Sequence, residues 1–150
     1  MPRRVVVDTN VWVSALLNPR GFPAQLLEAL RRKRFTPVLS SPIIEELKEV
    51  LARPRLRKYG IRDEDVQELI MLLTDRAIWV EPTGKLHLCR DSADDVVLET
   101  ALLGQAEEMV TRDDDMKRDL ELMKWMKEQG IAVLSVSQFL ESLEEEGGAR

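Results

Sequence analysis

Hydrophobic positions along this chain follow two rhythms that alternate. Short β-branched runs predict strands at about 4–8, 36–39, 77–80, 108–111 and 131–134. Apolar residues recurring every three or four positions predict helices at about 10–17, 23–33, 42–53, 63–75, 93–105 and 115–129, with a last one near 136–145. Strand-like and helix-like segments in alternation are the mark of βαβ units, so the expected class is α/β with a parallel sheet. Punctuation agrees. "NPRGFP" closes the first helix, "SSP" supplies an N-cap and a first-turn proline ahead of Ile43, and Gly130 follows the helix ending at Gln129.

The 150 residues suit one domain, expected over 1–146, and "EEEGGAR" at the end lacks apolar residues, so 147–150 is expected to be a flexible tail. No apolar run nears the roughly 18 residues that cross a bilayer. Asp8 interrupts what would have to be the apolar part of a signal peptide, so a cytoplasmic location without membrane contact is expected. One cysteine and one histidine, Cys89 and His87, exclude an internal disulfide and a Cys/His zinc cage built from this chain alone. Any metal must be held by oxygen. The net charge of −5 counts against a polynucleotide substrate, although "RRKR" (Arg31 to Arg34) and "RPRLRK" (Arg53 to Lys58) could form a local positive patch or simply a solvated face.

Candidate chemistry begins with the placement of carboxylates. Ligands of an open parallel sheet bind outside the carboxyl ends of the strands. Asp8 ends the first predicted strand, and Asp113 in "MVTRDDD" follows the fourth. Either alone could be an ordinary turn or N-cap acid. In "SSPIIEELKEVLARP" the apolar stripe Ile43, Leu47, Val50 and Leu51 places Glu46 on or beside the core face, where a carboxylate is costly unless paired or bound to a cation. In "DSADDVVLETALLG", Asp94 heads the stripe Val97, Leu98, Ala101 and Leu102. Its neighbours Asp95 and Asp91 could serve the helix dipole equally well, so local spacing leaves the choice among them open. If Asp8, Glu46, Asp94 and Asp113 converge, each close pair costs up to about 4 kcal/mol at an effective dielectric near 20. A divalent cation removes that cost, and an all-oxygen donor set favours Mg²⁺ or Mn²⁺. Cations so held can bind a phosphodiester and activate a water for in-line attack.

The same stretches resemble the PIN domain nucleases, and within them the toxin components of bacterial and archaeal toxin–antitoxin pairs. The matching pieces are "VVVDTNVWVSALL", "EELKEVL", "DSADDVVLETALLGQAEEMVTRDDDM" and "VLSVSQFLESL", in the family's order over nearly the whole chain. The resemblance implies a three-layer α/β/α fold about a central, mainly parallel sheet of about five strands. It implies a metal site of Asp8, Glu46, Asp94 and Asp113, with Asp94 preferred to Asp95 by the family's register seven residues before Ala101. It also implies support from Asn10 and Thr111 and assistance from Asp115. Ser92 follows Asp91 where the family often has proline, and the segment from Lys117 to Gln129 is longer than is common there. The implied activity is Mg²⁺- or Mn²⁺-dependent cleavage of RNA, restrained by a small antitoxin, in a homodimer.

Two other functions compete. A PIN-like module could bind RNA or an antitoxin without cutting. An aspartate-based phosphatase would also place an acid at the first strand end, but it needs a second acid two residues on, and Asn10 stands there. Trp12 and Trp79 lie inside predicted elements and are expected in the core, whereas Trp125 is open to either reading. The helix "VQELIMLL" (Val66 to Leu73) is expected to face the core, with a dimer or antitoxin surface as the alternative.

Overall fold

The structure, a computed structural model, describes residues 2–90, 92–112 and 118–148, with side chains to 146. Its strands are β1 (Arg3–Val7), β2 (Phe35–Ser40), β3 (Ile78–Val80), β4 (Glu108–Val110) and β5 (Ala132–Leu134). The helices described are α1 (Thr9–Leu17), α2 (Phe22–Arg31), α3 (Ser41–Leu51), α4 (Pro54–Arg57), α5 (Asp63–Arg76), α6 (Ser92–Leu103), α7 (Leu120–Glu128) and α8 (Val136–Gly148). The sheet order is β3-β2-β1-β4-β5 and every pairing is parallel. The α/β fold class expected from the sequence is the one observed. Among the described residues the short α4 is an addition, started by Pro54 in its first turn.

β1 is the central strand, which explains "RRVVV". Val5, Val6 and Val7 are buried because helices cover both faces, and β-branched side chains suit such a strand. On one side α2 packs against α1, α5 and α8; elsewhere α6 lies against β1 and β2, and α7 against β5. Leu26, Leu30, Leu69, Leu73 and Phe139 fill the core of the first layer, and Phe35 meets the Phe139 ring edge-on at 5.5 Å. α6 comes so close to the sheet that a Cβ on Gly104 would stand 2.2 Å from Val38 Cγ1, so only glycine fits there.

Several expectations change in detail. Trp12 is buried, but Trp79 is 43% exposed, because it is the outward-facing middle residue of the edge strand β3; its indole N–H donates to the Thr74 carbonyl at 3.2 Å. In α5, Leu69 and Leu73 are buried and Val66, Ile70 and Leu72 pack on the core, leaving Met71 outside. Of the helix expected over 115–129, α7 begins at Leu120, where Asp119 caps it by accepting from the Leu122 amide at 3.0 Å; residues 115–117 lie outside the described residues. Residues 149 and 150 of the expected tail lie outside them too. Half of the basic residues in the two clumps pair with carboxylates. Arg31 and Arg32 pair with Glu28, Arg31 also with Glu68, and Arg57 with Asp63, which favours the solvated face. Among the described residues no helix is long and apolar enough to cross a membrane.

Candidate active site at the carboxyl edge of the sheet

Chain order and sheet order part company between β1 and β4. β1 continues to β2 on one side while β4 and β5 lie on the other. Loops diverge at such a switch point and leave a crevice at the carboxyl ends of the strands. Asp8 and Thr111 are the first residues past the paired ends Val7 and Val110, so they flank that crevice from the two sides. The Asp8 amide donates to the Val110 carbonyl at 3.0 Å, and the Thr111 hydroxyl donates to Asp8 Oδ2 at 3.1 Å.

Asp8 stands at the N-cap of α1, yet its side chain makes no capping hydrogen bond. The ordinary reason for an aspartate at this position is therefore missing. Its carboxylate is instead aligned by the hydroxyl of Thr111, just past the end of β4 and 103 residues away in sequence. Thr111 is fully buried, so its position is set by packing rather than by solvent. Thr9, the next residue, is also buried, and its hydroxyl oxygen has no hydrogen-bond partner among the described residues. Asn10 is exposed on the first turn of α1.

Glu46 requires a correction. Ile43, Ile44, Leu47 and Leu51 are the buried residues of α3, and Glu46 is exposed. At about 100° per residue the centre of that stripe lies about 115° from Glu46, so the helix does not drive this carboxylate into the core. The burial-cost argument for Glu46 fails. Its place on the second turn of a helix that starts directly from the carboxyl end of β2 still puts it on the crevice side of the sheet.

α6 carries acids of two kinds. Asp95 is buried and its Oδ1 accepts the backbone N–H groups of Leu88 and Cys89 at 2.8 and 2.7 Å. One turn on, buried Glu99 accepts from the Thr83 amide at 2.6 Å, the Thr83 hydroxyl at 2.8 Å and the Gly84 amide at 3.1 Å. These two carboxylates strap the long loop between β3 and α6 onto the helix. Asp94 is only partly buried and neither pair of loop amides goes to it. Thr100 on the same helix donates to Ser40 at 2.9 Å, tying α6 to the end of β2 where α3 departs. The sequence reading missed the pair Asp95 and Glu99. Its signal was available as two acids four apart on a helix, both beside buried apolar residues.

Burial of Asp95 pushes its carboxyl up, but the Leu88 and Cys89 amides outweigh that and hold it below the usual range. Cys89 is pushed up to about 12 by burial and by the Asp95 carboxylate, so it is an inert thiol rather than a nucleophile. His87 is exposed. Glu99 is held low chiefly by the Thr83 amide and hydroxyl. A folded-state pKa below the unfolded one gives stability that is present above the ordinary glutamate range, about 4.3, and is lost as pH falls through the folded value. Glu99→Gln is therefore expected to flatten the decline in melting temperature below about pH 4. Thermal melts of both proteins across that range check this, and parallel curves would remove Glu99 from the acid response.

Among the described residues no three His, Cys, Asp or Glu side chains gather into a group that could hold a metal ion. Asp113 and Asp115, the two further expected ligands, lie outside the described residues. What is described fits a hard cation in kind: an aligned carboxylate oxygen at Asp8, a partly open carboxylate at Asp94, and no thiolate or imidazole at the switch point.

Comparison with known proteins places these features in a family. A family model described as PIN domain matches residues 4–115. An uncharacterized protein from Methanocaldococcus jannaschii is 27% identical over 143 residues, covering 94% of this chain and 92% of that protein.

Proposed function

From the premise that this chain belongs to the PIN domain family, whose members are in general nucleases that use divalent metal ions, we propose that it is a Mg²⁺- or Mn²⁺-dependent endoribonuclease. The observation that carries the reading is Asp8: a carboxylate at the switch point that does not cap its own helix and is aligned by the Thr111 hydroxyl. Asp8, Asp94 and Asp113 are the proposed ligands, with Glu46 completing the set or orienting the attacking water and Asp115 assisting. A bound dication would neutralise the phosphodiester and lower the pKa of that water. Thr111 aligns one oxygen of Asp8 toward the rim of the crevice. Asn10 on the first turn of α1 supports the same rim. Asp95 and Glu99 act at one remove, by fixing the loop that leads into Asp94.

We extend the proposal to a toxin of a type II pair, acting in the cytoplasm as a homodimer and restrained by a small antitoxin; a short adjoining reading frame for a DNA-binding-type protein would support it. The activity itself is tested by incubating the protein with single-stranded RNA and Mg²⁺ or Mn²⁺, with and without chelator. Metal-dependent products are expected. RNA binding that needs no metal and yields no products across several substrates would favour a PIN-like binding module. Turnover of a small phosphate ester with none of RNA would favour the aspartate-based phosphatase, against which Asn10 argues by standing where its second acid should be.

A further inference from the structure

Beside the switch point lies a cleft of about 660 Å³, within the size range of small-molecule sites. Thr111, which aligns Asp8, lies in its lining, so the cleft opens directly beside the proposed catalytic carboxylates. One wall is the end of α1 and the start of α2, with Ser14, Asn18 and Phe22; the other is the start of α8, with Ser135 and Ser137. Its composition departs from that of the molecule. The chain has 27 acidic residues against 22 basic ones, yet no carboxylate lines this cleft among the described residues.

Two of its lining side chains are exposed. Arg112 is exposed and its guanidinium donates to the Ser14 hydroxyl, its only hydrogen-bond partner among the described residues. Phe22 is 57% exposed at the first position of α2, where Pro23 and the Gly21 turn rather than its ring start the helix. The Ser135 and Gln138 side chains are spent on a reciprocal cap of α8 with bonds of 3.2 and 2.9 Å, which holds this wall rigid. An exposed guanidinium able to bond phosphate in a fork, an exposed aromatic ring and nearby serine hydroxyls together match an unstacked nucleotide.

We propose that this cleft is a subsite for one nucleotide of single-stranded RNA next to the cleaved phosphate, with Arg112 on the backbone phosphate and Phe22 stacked on the base. The inference rests on the ribonuclease reading and names where its substrate lies. It suggests how a chain of net charge −5 handles a polyanion: the attraction is local, at a cleft whose described lining residues include Arg112 and no carboxylate.

The test measures binding of a short labelled single-stranded RNA by fluorescence anisotropy over a salt series. The parent is the full chain carrying Asp8→Asn, so that no RNA is cut; Arg112→Gln and Phe22→Ala are added to it singly. Phe22→Ala is expected to weaken binding about tenfold with the salt slope unchanged, as loss of a stacked base requires. Arg112→Gln is expected to weaken it several-fold and to reduce the slope by about 0.7, one phosphate contact on a single strand. Both side chains are exposed, so melting temperatures should match the parent. Affinities within about twofold of the parent and an unchanged slope would overturn the subsite, leaving the cleft to a protein occupant. Cleavage by the wild type is scored separately. If the wild type cuts RNA and the variants bind normally, the subsite fails alone; if it cuts nothing and the variants still bind weakly, the nuclease reading fails and the cleft remains an RNA-binding site only.

Discussion

Asp8→Asn should abolish RNA cleavage, lowering the rate at least about a hundredfold, while leaving the melting temperature equal or higher. The first half follows if Asp8 binds a dication whose share of transition-state stabilisation is several kcal/mol, since about 2.7 kcal/mol is already a hundredfold. The second half follows from what Asp8 does not do. It makes no capping bond to α1, so the helix start loses nothing. The asparagine carbonyl can still accept from the Thr111 hydroxyl, which donates at 3.1 Å in the wild type. Removing one charge from neighbouring acids relieves repulsion when metal is absent. Rates with Mg²⁺ and Mn²⁺ and a thermal melt in chelator check both halves. A variant that keeps full activity with added Mn²⁺ would end Asp8's role as ligand, and a large fall in melting temperature would make the residue structural.

Adjacent acids on α6 should fail in opposite ways. Asp94→Ala is expected to cost at least about a hundredfold in cleavage and less stability than Asp95→Ala, since Asp94 is partly exposed where Asp95 is buried. Asp95→Ala removes the acceptor of two backbone amides, those of Leu88 and Cys89. Bonds to a charged acceptor are worth about 1.5–3 kcal/mol each, so a loss of about 3 kcal/mol in all, or roughly 6–12 °C in a domain of this size, is expected. Paired melting and cleavage measurements on the two variants decide. The reverse pattern, with Asp95→Ala stable and inactive, would exchange their roles and move the proposed site one residue along the helix.

How far the proposed site was legible differs from residue to residue. Asp8 could be picked out because a strand rhythm and a helix rhythm meet there and neither element calls for an acid inside the run. Glu46 was picked for a reason that did not survive: four apolar positions were read as Ile43, Leu47, Val50 and Leu51, whereas Ile44 is buried and Val50 is only half-buried, which rotates the stripe away from Glu46. An inexact stripe on an eleven-residue helix is enough to turn a flank into a face. Asp94 and Asp95 could not be separated by periodicity, because the amides that claim Asp95 come from an irregular loop with no rhythm to read. Trp79 misled for a related reason. A strand pattern says that alternate residues share a face, but not that the strand lies at the sheet's edge, where the outer face of its middle residue stays in water.

By itself the sequence determined the order and kind of the elements and the hardness of any metal site, since hydrophobic period and donor chemistry are properties of short stretches and of composition. Only the tertiary structure decided the neighbours. The order β3-β2-β1-β4-β5 sets Asp8 beside Thr111, gives Asp95 and Glu99 to the loop, and brings Arg112 and Phe22 to one cleft. The physical reason is range: a helical or strand period spans a few residues, whereas strand pairing joins positions more than a hundred apart, and it is pairing that chooses which polar groups must satisfy one another.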